Sequence, residues 1–178
     1  MTDTRPTVYL AGPAVFLAAS AAIFRYLKEV CAEQGLEGVA PVEETGYLKH
    51  LPKAEQAAAI RQGNIGRIKE CDMVIACVTA FRGPGADAGT AWEMGYAEAL
   101  GKPVIPWTEE TAPYLERVIH DKDPDGSVWC KQHGMMVEDF GLADNLMLAA
   151  GPVPVQPDFQ SAVMVAAEIW RQKTAVRP

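Results

Sequence analysis

Short apolar runs alternate along this chain with longer stretches in which apolar residues recur at helical spacing. Thr7–Ala11 (TVYLA) is a β-rich run ending in Gly12-Pro13, which predicts a buried first strand and a tight turn. Over Ala14–Glu33, Phe16, Ile23, Leu27 and Val30 recur near helical spacing and Gly35 supplies a stop, so a first helix is expected there. Val39-Ala40 open a short second strand before Pro41, and Glu43–Leu51 read as a loop. Lys53–Glu70 form a second helix with Ala54, Ala57, Ala58, Ile60, Ile65 and Ile68 as its apolar positions. Met73–Val78 (MVIACV), continuous and apolar between Asp72 and Thr79, is the strongest strand signal. Phe81–Asp87 are glycine-rich, Gly89–Leu100 are helical up to Gly101, and Pro103–Trp107 form the next strand. Thr108–Gly141 have no clear period, though Asp121–Gly126 (DKDPDG) mark a turn or surface loop. Phe159–Lys173 predict a C-terminal helix that buries Ala162, Val163, Ala166, Ile169 and Trp170.

Strands alternating with helices imply parallel pairing, and hence one α/β domain over residues 1–178, doubly wound, with helices on both faces of its sheet. Ligands of such sheets sit beyond the carboxyl ends of the strands. Two loops are expected to meet there: Gly12–Phe16 and Thr79–Gly89.

Composition acts mainly by exclusion. The 178 residues carry a net charge of −7, which disfavours nucleic-acid polymers and anionic membrane surfaces and leaves room for a small neutral substrate. Cys31, Cys71, Cys77 and Cys130 form no C-x-x-C pair, and His50, His120 and His133 are scattered, so no metal is expected and the thiols read as reduced. Met1–Pro6 are polar, and the apolar stretch Val8–Ala22 is broken by Gly12-Pro13. Neither a signal peptide nor a membrane span is expected, and a cytoplasmic location follows by default.

Chemistry concentrates in Ala80–Pro103 (AFRGPGADAGTAWEMGYAEALGKP). Asp87 stands at the mouth of a helix and Glu93 lies one and a half turns inside it. Asp87 as a helix cap and Glu93 as a solvated residue is one reading. Against it, Ala91, Trp92, Met94, Gly95, Tyr96, Ala97 and Ala99 make the helix apolar nearly all round, which predicts burial, and a carboxylate there needs a partner or a function.

Together, Tyr9-Leu10-Ala11-Gly12-Pro13 with Phe16, Cys71-Asp72, Phe81-Arg82-Gly83, Asp87-x-Gly89-Thr90-Ala91-x-Glu93-x-Gly95-Tyr96-Ala97 and Gly101-Lys102-Pro103 resemble the nucleoside 2-deoxyribosyltransferase family. The resemblance covers residues 7–107 and a short Asn145-Leu146-Met147 block. It implies a flavodoxin-like fold, deoxynucleosides and free nucleobases as partners in nucleoside salvage, and a double displacement at the anomeric carbon that needs neither cofactor nor metal. It implies Glu93 as nucleophile, Tyr9, at the end of the first strand, as the group that orients it, and Asp87 as the holder of sugar hydroxyls. Gly12 then lets backbone approach the ligand, Gly89 belongs to the same block, and Phe16 is a base-stacking wall unless it simply packs in the core. Asn145 and Met147 match a block that enters the site from a neighbouring subunit, implying a homo-oligomer with shared sites; a helix cap is the alternative for Asn145.

Two departures stand out. Many members carry an aspartate eight residues before the position of Asp72, facing the base; here Asn64 occupies it, and an amide cannot act as a general acid. Some members point their terminal carboxylate into the site, a role not assigned to Arg177-Pro178. The nearest rival is a 2′-deoxynucleoside 5′-monophosphate N-glycosidase of the same superfamily. Its phosphate grip resembles a first loop rich in Gly, Ser and Arg, whereas Gly12-Pro13-Ala14-Val15 offers no basic residue or hydroxyl and Arg82 is the one nearby candidate. A non-catalytic nucleotide-binding module is the rival from another class.

Overall fold

The computed structural model describes residues 5–41 and 46–175. Four strands form one parallel sheet: β1 (Thr7–Ala11), β2 (Glu37–Val39), β3 (Met73–Cys77) and β4 (Val104–Trp107), in the spatial order β2-β1-β3-β4. The chain winds one way from β1 to β2 and the other way from β3 to β4. The crevice between the carboxyl ends of β1 and β3 is therefore the switch point at which such sheets bind ligands.

Alternation along each strand sends neighbouring side chains to opposite faces. Val8, Leu10, Met73, Ile75 and Ile105 pack against helices α1 (Ser20–Glu33) and α5 (Phe159–Ala175). Tyr9, Ala11, Val74, Ala76 and Val104 pack against α2 (Lys53–Glu70) and α3 (Ala88–Ala99). The expected doubly wound sheet, with helices on both faces, is what the chain forms. Outside the sheet, Thr108–Gly141 contain an antiparallel hairpin of β5 (His120–Lys122) and β6 (Val128–Cys130), which the sequence pattern did not reveal. The expected loop at Asp121–Gly126 thus begins inside β5. A one-turn helix, α4 (Leu146–Ala149), follows the hairpin.

Three expectations need correction. The helix expected over Ala14–Glu33 is divided. Pro13–Phe16 form a 3-10 turn, Leu17 is extended (φ −86°, ψ 144°), and α1 begins only at Ser20. Helix α3 is not buried all round: Thr90, Met94 and Ala97 are buried, but Trp92, and Leu100 just after the helix, are 45% and 43% exposed in the single chain. Tyr9 lies in the middle of β1, not at its end. Of the expected loop Glu43–Leu51, Gly46–Leu48 are a 3-10 turn and Glu43–Thr45 lie outside the described residues, as do Arg177-Pro178.

Candidate active site

Tyr9 is completely buried on the α2/α3 side of the sheet. Its hydroxyl crosses to α3 and donates to Glu93 Oε1 at 2.6 Å. Burial, then the hydrogen bond and facing charge of Glu93, keep this phenol protonated far above its usual range. Burial also pushes the Glu93 carboxyl up to about 7, with the Tyr9 hydrogen bond pulling down and Asp87 pushing up. A carboxylate pushed so far towards neutral pH at the end of a cavity is a mark of a reactive site.

Asp87 caps α3. Its Oδ2 accepts from the Thr90 backbone N–H at 3.0 Å and from the Thr90 hydroxyl at 3.2 Å. The helix-cap reading of Asp87 is therefore correct, and it coexists with a place on the cavity wall. Gly89 makes this geometry possible, since a Cβ there would meet Asp87 Oδ2 at 2.9 Å. Gly12 closes the other side. Its φ of 155° disfavours other residues, and a Cβ would meet Cys77 Cβ at 2.8 Å, so only glycine lets the end of β1 press against the end of β3.

These elements enclose a cavity of about 300 Å³. Its polar groups are Asn64, Asp87, Thr90 and Glu93; Val15, Phe16, Pro41 and Ile60 form an apolar slot; and Gly12 and Gly89 are its glycine contacts. A groove of about 460 Å³ between α2 and α3 adjoins it, sharing Ile60, Asn64, Gly89 and Glu93 and adding Arg61 and Trp92. Glu93 thus stands where two hollows meet. Asn64 lines both.

Phe16 is 55% exposed, which removes the core-packing alternative, and its ring stacks on Phe81 at 5.1 Å. Arg82, in a left-handed backbone conformation (φ 56°), lays its guanidinium over Phe16 at 5.1 Å and Phe81 at 4.6 Å. It stands against a cavity residue without lining the cavity itself. Asn145 and Met147 are not brought to Glu93 within the chain. Asn145 caps α4, accepting from the Met147 N–H at 3.0 Å, and its side-chain amide donates to Glu138 Oε1 at 2.6 Å. Met147 is 75% exposed.

Sequence reasoning missed Val15, Pro41, Ile60, Thr90, Arg61 and Trp92. Ile60 was recoverable, since it lies one helical turn before Asn64, and Thr90 stands at the third position after the Asp87 cap, where such caps are bonded. Pro41 carried no local signal. Among the described residues, no group of three or more His, Cys, Asp or Glu is placed to hold a metal, and no helix is long and apolar enough to cross a membrane. All four cysteines are free thiols.

The profile of the nucleoside 2-deoxyribosyltransferase family matches residues 8–147. The solved structure of a 2-desoxiribosyltransferase from Leishmania mexicana superposes with a TM-score of 0.72 at 32% identity, covering 92% of this chain and 97% of that one. An uncharacterized protein of Schizosaccharomyces pombe is 39% identical over 115 residues, which is 64% of this chain and 54% of its own length. The match therefore spans about half of that yeast relative. The profile match over most of the sequence, and a fold shared along nearly the whole Leishmania chain, make this protein a member of the nucleoside 2-deoxyribosyltransferase family of enzymes.

Proposed function

We propose that the protein transfers 2-deoxyribose between nucleobases by a retaining double displacement at Glu93. The observation that carries this reading is the Tyr9–Glu93 hydrogen bond of 2.6 Å beside a cavity that also holds Asp87 and Asn64. The ionised Glu93 carboxylate attacks C1′ of the bound deoxynucleoside. The C1′–N bond breaks, its electron pair leaves with the base, and a deoxyribosyl ester forms. The nitrogen of a second base then attacks C1′, the carboxylate departs, and the N–H proton of the incoming base passes by way of solvent to the base that left. Two inversions restore the original configuration, as in retaining glycosidases. Tyr9 orients the carboxylate, Asp87 holds sugar hydroxyls, and Phe16 with Val15 and Ile60 offers a flat apolar wall to the base. Gly12 and Gly89 let the ligand approach the backbone closely.

Transfer is favoured over hydrolysis of a nucleotide by the character of the first loop. Gly12, Val15 and Phe16 bring no cationic side chain to the cavity, and Arg82 lies on two aromatic rings. The reading includes a cytoplasmic homo-oligomer in which the Asn145–Met147 segment, exposed at Leu146 and Met147, serves a neighbour's cavity. The deciding experiment incubates the protein with deoxyinosine and free adenine, without phosphate, and follows products by chromatography. Deoxyadenosine is expected. Free sugar and hypoxanthine alone, or a strong preference for a deoxynucleoside monophosphate, would move the assignment to the N-glycosidase.

A further inference from the structure

Among the described residues, Asp144 is the one buried acidic side chain outside the cavity, 3% exposed, and its partners Ala86 and Arg117 are remote from it in sequence. Removing a carboxylate from water is costly unless its oxygens are well bonded. Here they are. Oδ2 accepts from the Ala86 N–H at 3.0 Å and faces Arg117 Nη2 at 3.4 Å, and Oδ1 accepts from the Asn145 N–H at 2.7 Å. Arg117 holds the same loop from a second point, with Nε donating to the Pro84 carbonyl at 2.8 Å. Its other nitrogens donate to the Ala112 and Ala143 carbonyls, and its side chain is 16% exposed. Gly85 lies between these two grips, and a Cβ there would stand 3.5 Å from Asp144 Oδ1.

The loop so gripped ends at Asp87. Its backbone is fixed at Pro84 and Ala86 by Arg117 and Asp144, and at its far end by the Asp87 cap on Thr90. The same carboxylate bonds the N–H of Asn145, the residue that caps α4. We propose that Asp144 and Arg117 are positioning residues that set where the Asp87 carboxylate stands in the cavity, and that Asp144 ties this placement to the Asn145–Met147 segment. The proposal rests on the reading of Asp87 as the holder of sugar hydroxyls. Asp144 and Arg117 touch no substrate; they act through the backbone that precedes Asp87.

The test compares wild type with Asp144→Asn, Arg117→Met, Arg117→Lys, Asp87→Ala and the Asp144→Asn/Asp87→Ala double variant. Glycosidic cleavage is followed with 2′-deoxy- and 2′,3′-dideoxynucleosides. Asn has a single acceptor oxygen, so Asp144→Asn gives up part of the grip. Loss of a charge-assisted bond of this kind corresponds to about tenfold or more. We expect Asp144→Asn and Arg117→Met to raise KM for the deoxynucleoside by about that factor, to leave KM for the accepting base unchanged, and to narrow the preference for the substrate with a 3′-hydroxyl. Arg117→Lys should recover part of the loss. In the Asp87→Ala background, Asp144→Asn should add much less than it does in wild type, because the Asp87 carboxylate is no longer there to be placed and only the contact to the Asn145–Met147 segment is left to lose. Full additivity, or an equal loss towards donor sugar and accepting base, would overturn the proposal. Hydrogen exchange supplies an independent readout: residues 84–90 and 145–149 should exchange faster in Asp144→Asn, with the sheet unchanged. If wild type cleaves no deoxynucleoside or deoxynucleotide, the functional reading has failed, and the exchange pattern alone decides: faster exchange confined to those segments upholds the positioning, unchanged exchange overturns it.

Discussion

Tyr9 and Glu93 are 84 positions apart in the chain, yet the hydroxyl of one lies 2.6 Å from the carboxylate of the other. The strand supplies a fixed, wholly buried donor, and the helix presents the acceptor to the cavity. Burial raises the proton affinity of Glu93 and the tyrosine lowers it, so the carboxyl group changes its charge near neutral pH.

The first prediction concerns this pair. With Glu93 at about 7, kcat/KM should rise as pH increases through that value, because the ionised form attacks. Tyr9→Phe removes the hydrogen bond that favours ionisation. Its inflection should move to higher pH, so the variant should lose more activity at pH 6 than at pH 9. A pH–rate profile showing an equal loss at both ends would exclude an orienting and ionising role for Tyr9.

Glu93 should also cost the fold stability. Its proton affinity is higher in the folded chain (about 7) than at the ordinary value of 4.5, so between these limits the native state holds more protons than the unfolded one. Stability attributable to this group therefore falls as pH rises through that window, by about 3 kcal/mol at most. Glu93→Gln retains an acceptor for Tyr9 and carries no charge. It should be inactive, more stable than wild type above pH 7, and nearly equal to it at pH 4.5. Denaturant melts at the two pH values measure this, and appreciable turnover by Glu93→Ala would remove Glu93 from the chemistry. A 2-fluoro sugar analogue should label Glu93 covalently.

Much of this arrangement was legible in the sequence because it is local or periodic. The alternation that buries Val8 and Leu10 on one face sends Tyr9 to the other, and Asp87, Gly89 and Glu93 belong to one short helical block. Lys53–Glu70, found at the expected bounds, places Asn64 on the cavity. The failures have physical causes too. Phe16 supported a long first helix because its spacing fitted, but the extended backbone at Leu17 interrupts the helix and leaves Phe16 outside it. The apolar surface of α3 suggested burial all round, whereas Trp92 is left 45% exposed. The Asp144–Arg117 grip joins residues far apart in sequence and follows no period, so nothing short of the fold reveals it.

The amide at position 64 leads to a third prediction. Asn64 can donate and accept hydrogen bonds to a base edge but cannot protonate it. Asn64→Asp restores an acid at the cavity wall, and general acid help is worth about 10²–10⁴ in rate where it is needed. The variant should change the order of preference among leaving bases, measured with a panel of deoxynucleosides. A common factor for all bases, or no change, would mean that Asn64 does not meet the base.

A fourth prediction tests sharing between subunits. Glu93→Ala and Asn145→Ala chains should each be inactive alone. Unfolded and refolded together, they should regain activity, since some mixed sites would draw Glu93 from one chain and Asn145 from another. No recovery from demonstrably mixed oligomers, or an active monomer by light scattering, would confine Asn145 to its observed role as the cap of α4.

Helix α3 carries both Asp87, at its cap, and Glu93, inside it, while the apolar slot is assembled from the turn after β1, from Pro41 and from α2. Both carboxylates therefore depend on one helix, Glu93 from inside it and Asp87 at its cap. The walls opposite belong to separate pieces that can change one at a time. If the proposed reading holds, substitutions at Val15, Phe16, Ile60 or Asn64 reshape the base side of the cavity from elements other than α3. On the proposed reading, discrimination between bases is thus free to drift in evolution, or under an engineer's hand, separately from the groups assigned to the sugar.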